Sequence, residues 1–258
     1  VDPKNIHAYV IGEHGDSEFV PLSQVMLATK PVLSILENEK NSYCKDDMEK
    51  INACSRRELS EDEAAAVTSL GEVFKGNKNI ATFDELLYFT GLTGIGNSVF
   101  ANCSGLKSIA IPNNVTSIGN SAFSNCNKLA SSLAFPASLK TIGSYAFSNC
   151  YALTEVELPA SLTSLGSYAF SGAKALTAFT FPAAIRQVPE GVLSSCEAIE
   201  SVTLTEGTTQ IGNYAFQNCP KLATVSNLDQ TTLTSVGSYA FYNTGLTTVN
   251  VPGSVTSI

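Results

Sequence analysis

The sequence lacks tryptophan and has few charged residues, which make up 15% of its 258 residues. It has no basic tract and a net charge of −8, so nucleic acid and anionic lipid surfaces are poor candidates for partners. No stretch approaches the ~18 consecutive apolar residues of a membrane-spanning helix, so we expect no membrane insertion. Because 44% of the residues are hydrophobic, the chain is long and apolar enough to bury a sizeable core.

Charge is distributed unevenly along the chain. Residues 1–64 contain 7 Lys/Arg and 13 Asp/Glu, whereas residues 65–258 contain 8 and 10. Both histidines, His7 and His14, lie in the first part. This change in charged-residue content suggests two segments of different origin. The chain begins at Val1 without Met or a signal peptide, so we expect its true N-terminus to lie upstream.

A repeat fills the C-terminal three quarters of the chain. The string Ile-Gly-x-x-x-Phe recurs with the Phe position at steps of 23, 24, 23, 23, 23 and 25 residues. The residues at this position are Phe100, Phe123, Phe147, Phe170, Leu193, Phe216 and Phe241. A Gly stands four residues earlier in every copy except the fifth, which has Pro189. Copies in phase indicate units that bury their apolar faces against one another.

Each unit contains a short run in which polar and apolar residues alternate, as at residues 155–158, and most runs end at a Pro. This alternation predicts a half-buried strand. A second run, such as residues 162–165, is compatible with a second and shorter strand. The Gly-Ser-Tyr-Ala-Phe segment has room for one helical turn only. The sequence therefore predicts a solenoid with a parallel sheet of short strands, one per coil.

The repeat resembles a known family. Its length lies in the range of leucine-rich repeats, and Ser-Ile-Gly-Asn-Ser-Ala-Phe-Ser-Asn-Cys-x-x-Leu at residues 117–129 is similar to the BspA-type subfamily. The resemblance, which covers roughly residues 66–258, implies a bacterial cell-surface or secreted protein without catalytic residues. Some members adhere to host or matrix proteins. We assign residues 71–258 to the repeats, with a degenerate capping coil followed by about seven repeats, the last of them incomplete.

Five of the seven cysteines share one repeat position, three residues after the Phe. These are Cys103, Cys126, Cys150, Cys196 and Cys219. The repeats contain no Cys-x-x-Cys pair and no His, which argues against a metal site and against disulfides. Ala173 and Thr244 replace Cys in two coils, and a small buried filler tolerates that change better than a metal site. We therefore expect a ladder of buried thiols.

Tyrosines form a second ladder, two residues before the Phe position. Two interpretations stay open: the rings pack between coils, or they form an exposed row for a protein or glycan partner. The outward positions of the presumed sheet are small and mostly neutral, apart from one acidic stripe. The candidate binding surface combines both features: Glu155, Glu157, Thr180, Thr203, Tyr145, Tyr168, Tyr214 and Tyr239.

Residues 1–52 differ from the repeats. Their first 18 residues, which include Gly-Glu-His-Gly-Asp, resemble the active-site segment of bacterial L-lactate dehydrogenase. The resemblance implies a small α+β fragment in which His14 exchanges a proton with the substrate and His7 matches an allosteric sugar-phosphate position. In that family the nucleotide-binding half and the substrate-binding Arg precede this segment. We therefore expect no enzyme activity and no cofactor, with His14 catalytic by descent only.

Residues 53–70 form the junction. The stretch at residues 58–67 resembles the second half of a calcium loop that often precedes such repeats, with Glu63 at the position of the bidentate ligand. The positions that should carry carboxylates and a Gly fall on Asn52, Cys54, Arg56 and Arg57. We therefore expect no bound calcium.

Two classes of function follow from these patterns. The first is a non-enzymatic scaffold, on the cell surface or secreted, that binds a protein or glycan through the solenoid. The alternative is a cytoplasmic dehydrogenase that uses NAD and pyruvate, with His14 as proton donor and acceptor. A third possibility is a purely structural surface spacer that binds no specific ligand. The last expected strand, at residues 248–251, has no charge and no following cap, so this coil is a candidate for self-association.

Overall fold

The computed structural model describes residues 7–11, 17–21, 64–130 and 133–258. Two strands precede the repeats: β1 (His7–Ile11) and β2 (Ser17–Pro21). Two strands per coil follow: β3 (Ile80–Phe83), β4 (Gly94–Ile95), β5 (Ser108–Ile109), β6 (Ser117–Ile118), β7 (Leu133–Ala134), β8 (Thr141–Ile142), β9 (Val156–Glu157), β10 (Ser164–Leu165), β11 (Ala178–Thr180), β12 (Gln187–Val188), β13 (Ser201–Thr203), β14 (Gln210–Ile211), β15 (Thr224–Ser226) and β16 (Ser235–Val236). Short 3₁₀ helices span Asp84–Tyr88 and Leu228–Gln230.

The strands of the repeats form two parallel rows. The odd-numbered strands β3 to β15 make the first row, in which β13 pairs with both β11 and β15. The even-numbered strands β4 to β16 make the second row, in which β4, β6, β8 and β10 pair in sequence. The predicted solenoid is confirmed, and the second strand that the sequence allowed is formed in every coil from β4 to β16.

A ladder of phenylalanine rings fills the space between the two rows. Phe123 and Phe147 are fully buried and stack with ring centroids 5.1 Å apart and planes 6° apart. Phe74 in the capping coil continues the ladder and stacks on Phe100 at 5.2 Å. This separation is close to the ~4.8 Å between neighbouring strands, so successive coils place one ring directly on the next, except where Leu193 interrupts the ladder. One core therefore runs from Ala64 to Ala240.

The turns that carry the ladder are bonded from coil to coil. The backbone N–H of Phe123 donates to the carbonyl oxygen of Ala146 in the next coil at 2.7 Å. The repeated glycine permits this close approach: a Cβ on Gly166 would lie 2.3 Å from the backbone nitrogen of Ser144. The requirement for Gly at this position, visible as a sequence repeat, is therefore steric.

The N-terminal strands extend the first row. β1 and β2 form an antiparallel pair, and β1 also pairs antiparallel with β3, with Tyr9 opposite Thr82. The resulting sheet has the order β2-β1-β3-β5. An unpaired edge strand exposes its backbone groups to other chains. In this sheet β1 occupies the edge of β3 that faces away from the repeats.

The opposite end of the first row differs from the expectation. Residues 248–251, expected to form the last strand, are not in a strand, and a groove of about 440 Å³ separates them from β15. Leu246 follows Phe241 by five residues, whereas the equivalent spacing is six in the other coils, so this run leaves the register of the row. The second row does continue, through a bridge between Ser235 and Ser257.

Candidate interaction surface

The first row of strands carries four of the candidate binding residues. Glu157 in β9, Thr180 in β11 and the preceding Glu155 are exposed, whereas Thr203 in β13 is half-buried. Side chains alternate across a strand, so the intervening residues point into the core. These buried residues are Val156, Phe179 and Val202. The outer face of these strands is therefore polar, and Glu155 and Glu157 form a negative stripe on one coil.

The four candidate tyrosines follow the second row of strands and form two separate stacks. Tyr145 stacks on Tyr168 with centroids 5.0 Å and planes 2° apart, and Tyr214 stacks on Tyr239 at 5.7 Å and 8°. Tyr145 and Tyr239 are 45% and 59% exposed, and the other two are half-buried. The rings therefore pack between coils and also face solvent. We call these four residues the tyrosine row.

The coil between the two stacks has no side chain at the tyrosine position. A Cβ on Gly191, which occupies it, would lie 2.1 Å from Cε1 of Tyr168, so this ring leans over the glycine. The Tyr168 hydroxyl donates a hydrogen bond to Glu190 Oε1 at 3.0 Å. Desolvation and the nearby carboxylate raise the pKa of Tyr168 to about 12. Sequence reasoning missed this gap, although the aberrant fifth repeat was its signal.

The tyrosines adopt a backbone conformation that bulky residues avoid, with φ between 56° and 58°. This left-handed conformation costs a residue with a Cβ about 1–2 kcal/mol, whereas one aromatic pair contributes about 0.5–1.5 kcal/mol. This cost belongs to the turn and not to tyrosine, because any residue with a Cβ bears it there. Ser98, Ser121 and Gly191 hold the same conformation in other coils, so the fold does not require tyrosine there.

A row of asparagine amides occupies a second left-handed position in the same turns. Asn125 Nδ2 donates to Asn102 Oδ1 at 2.9 Å, and Asn149 Nδ2 donates to Asn125 Oδ1 at 3.0 Å. Asparagine tolerates this conformation better than most residues. Each of these asparagines directly precedes a repeat cysteine in the sequence. The amides bond to one another and thereby join the coils.

The five repeat cysteines are free thiols and all are buried, which confirms the predicted ladder. Each thiol also donates a hydrogen bond to a carbonyl oxygen of the preceding coil, which the sequence did not reveal. Cys150 Sγ lies 3.3 Å from the carbonyl oxygen of Phe123, and Cys126 Sγ lies 3.1 Å from that of Phe100. Burial raises the pKa of the Cys150 thiol to about 12. The thiols therefore stay protonated at neutral pH and join coils.

His14 lies outside the described residues, as do the calcium-loop positions. These positions are Asn52, Cys54, Arg56, Arg57 and Glu63. His7 belongs to β1, whose backbone alone is described. Within residues 64–130 and 133–258, no three His, Cys, Asp or Glu side chains are arranged to hold a metal ion. In the described part of the chain, no helix has the length and apolar character needed to cross a bilayer.

Comparison with known proteins identifies both parts of the chain. Residues 72–190 and 140–258 match the family described as BspA type leucine rich repeat region, in six copies. Residues 1–54 match the lactate/malate dehydrogenase alpha/beta C-terminal domain. Both resemblances inferred from the sequence are confirmed.

The curated relatives match the N-terminal segment. L-lactate dehydrogenase 3 of Bacillus cereus is 47% identical over 51 residues, which are 20% of this chain and 16% of that enzyme. L-lactate dehydrogenase 2 of Enterococcus faecalis is 54% identical over 37 residues, 14% of this chain and 12% of the enzyme. The chain thus spans only a small part of the length of these relatives.

Solved structures support the solenoid fold. A leucine-rich repeat protein of T. pallidum is 27% identical with a TM-score of 0.52, covering 57% of this chain and 66% of its own. One from Bacteroides ovatus is 29% identical with a TM-score of 0.51, covering 64% of this chain and 48% of its own.

Proposed function

The chain belongs to the BspA-type leucine-rich repeat family, and from this premise we propose that it is a non-enzymatic interaction scaffold, on the bacterial cell surface or secreted. Its partner is a macromolecule, a protein or a glycan, bound along the solenoid. One observation carries this proposal. Each coil adds equivalent exposed side chains to the same rows, and stacked coils thereby build an extended binding surface.

The outer face of the first row is one candidate for this surface. Glu155 and Glu157 form an acidic stripe beside the neutral Thr180 and Thr203. Exposed charges of one sign steer a partner of opposite charge and set its register more than they add affinity. A basic patch on a host or matrix protein fits this stripe. The family resemblance, rather than the stripe itself, supports a matrix protein.

The second candidate function is that of a dehydrogenase, because residues 1–54 match one of its domains. The match covers a short piece of the enzyme, and NAD would be its cofactor. The main body of the chain is a leucine-rich-repeat solenoid. In the described residues, β1 of the dehydrogenase-like segment pairs with β3 of the solenoid. This observation supports a segment that serves the solenoid rather than a catalytic domain.

Binding to purified extracellular-matrix proteins, immobilised for surface plasmon resonance, tests the scaffold. We expect saturable binding of the full chain to at least one of them. The double variant Glu155→Gln, Glu157→Gln should bind more weakly and lose part of the salt dependence. Glu206→Gln, which removes an exposed charge outside the strands, is the matched control.

Pyruvate-dependent oxidation of NADH is measured on the same preparation. The scaffold proposal is overturned if no matrix protein or glycan binds while the chain oxidises NADH and His14→Ala abolishes that activity.

A further inference from the structure

The tyrosine row places four large rings at a position where the fold does not require them. Every coil holds this position in the left-handed backbone, and serine occupies it at Ser98 and Ser121 and glycine at Gly191. The conformation therefore belongs to the turn, and the choice of an aromatic side chain is what the fold leaves unexplained. The row also has high exposure, up to 59% at Tyr239. This exposure distinguishes it from the buried phenylalanine ladder two residues away.

The turns around the row carry almost no charge. Between the repeated glycine and the cysteine position, the seven turns contain one charged residue, Glu190. Sulfated glycans, nucleic acids and acidic peptides need Lys or Arg side chains for recognition. The residues immediately before the tyrosines and Gly191 are small or polar: Ser144, Ser167, Glu190, Asn213 and Ser238. The partner of this surface is therefore uncharged or nearly so.

The row of tyrosine rings is interrupted or ends at two places, Gly191 and the corner formed by Tyr239 and Tyr242. At Gly191 the two stacks are interrupted, so the coil between Tyr168 and Tyr214 adds no third ring. At the C-terminal end, Tyr242 meets Tyr239 edge-on with planes 79° apart and forms an L-shaped corner, with Tyr242 56% exposed. At the first place the carboxylate of Glu190 lies beside the Tyr168 hydroxyl, and at the second both rings are exposed.

Resting on the proposed scaffold function, we propose that the tyrosine row binds an uncharged glycan. The C–H face of a sugar ring packs on a tyrosine ring, and its hydroxyl groups bond to tyrosine hydroxyls and to polar side chains such as Glu190 and Asn213. A protein partner is the less suitable occupant, because the core of a protein interface is more apolar than its rim, whereas serine, asparagine and glutamate border this row.

Isothermal titration calorimetry of the full chain with uncharged linear hexasaccharides tests the proposal. The probes are cellohexaose, xylohexaose, mannohexaose and maltohexaose, with a heparin hexasaccharide as the anionic control. Because the chain has no tryptophan, its tyrosine fluorescence reports the same event. We expect saturable binding of at least one uncharged probe, a fluorescence change and no binding of heparin.

Substitutions locate the site. Replacing all four tyrosines with serine, the residue of two other coils, should weaken binding at least tenfold while circular dichroism and melting show a folded chain. Gly191→Ala should weaken binding severalfold, because its Cβ displaces the Tyr168 ring. Gly253→Ala is the matched control, since a Cβ there meets no atom within 4 Å. Glu155→Gln with Glu157→Gln should leave glycan binding unchanged.

Three results overturn the proposal: no uncharged hexasaccharide binds, only heparin binds, or the folded serine variant binds as tightly as the parent chain. Matrix-protein binding that persists in the serine variant would leave the scaffold function standing while the glycan site falls. A matrix protein that loses binding in the serine variant, with no glycan bound, would assign the row to a protein partner instead.

Discussion

Replacement of Phe147 with alanine tests what joins the coils. The ring is fully buried, stacks on Phe123 and Phe170 at 5.1 and 5.2 Å, and meets Phe135 edge-on at 5.6 Å. Truncation of a buried phenylalanine costs about 3–5 kcal/mol, more where the surroundings cannot collapse. Backbone hydrogen bonds hold the neighbouring coils at a fixed separation, so the cavity stays open. We therefore expect a loss near 5 kcal/mol, the upper end of that range.

Urea denaturation followed by far-ultraviolet circular dichroism measures this loss as a shift of the midpoint at constant slope. Phe147→Leu is the matched control, because Leu193 fills the same position naturally, and we expect it to cost less than about 1.5 kcal/mol. Cys150→Ala should cost about 1 kcal/mol, since the carbonyl of Phe123 keeps its bond from the Cys126 N–H. Equal midpoints for the alanine and leucine variants of Phe147 would refute the role given to the ladder.

Three further predictions concern other parts of the molecule. In the folded chain, burial raises the pKa of the Cys150 and Cys219 thiols from 9.0 to about 12. The stability that the protonated thiols contribute is therefore complete below pH 9 and is lost as the pH rises toward 12. At pH 10 each such thiol lowers the free energy of unfolding by about 1 kcal/mol; a melting temperature that does not fall between pH 8 and 10, or falls equally in Cys150→Ala, would contradict this. We expect no pyruvate-dependent NADH oxidation, because residues 1–54 match only part of a dehydrogenase; activity that disappears in His14→Ala would show otherwise. Because Val249 and Val251 are 39% and 36% exposed beside the groove at β15, appending a polar capping coil should reduce self-association in light scattering; unchanged scattering and melting would argue against it.

Much of the solenoid could be predicted from the chain because every coil repeats the same burial pattern. The phenylalanine and cysteine positions fall at constant spacing, and both ladders are buried as expected. The candidate surface was harder to predict. Alternation correctly placed Glu155, Glu157 and Thr180 outside, but Thr203 is half-buried. The expected strand at residues 248–251 is not formed. Periodicity describes a coil, whereas exposure and pairing depend on the neighbouring coil.

The sequence by itself determined the repeat length, the residues of the core and the resemblance of each part of the chain to its family. These properties are local, since the identity and spacing of side chains decide which face of a coil is apolar. Only the tertiary structure decided the left-handed backbone of the tyrosine row, its division at Gly191, and the hydrogen bonds from the thiols to the preceding coil. It also decided that β1 pairs with β3. Apart from the backbone conformation, each of these features joins residues about one coil or more apart, because a ring, a thiol or a strand edge finds its partner only after stacking has brought the coils together.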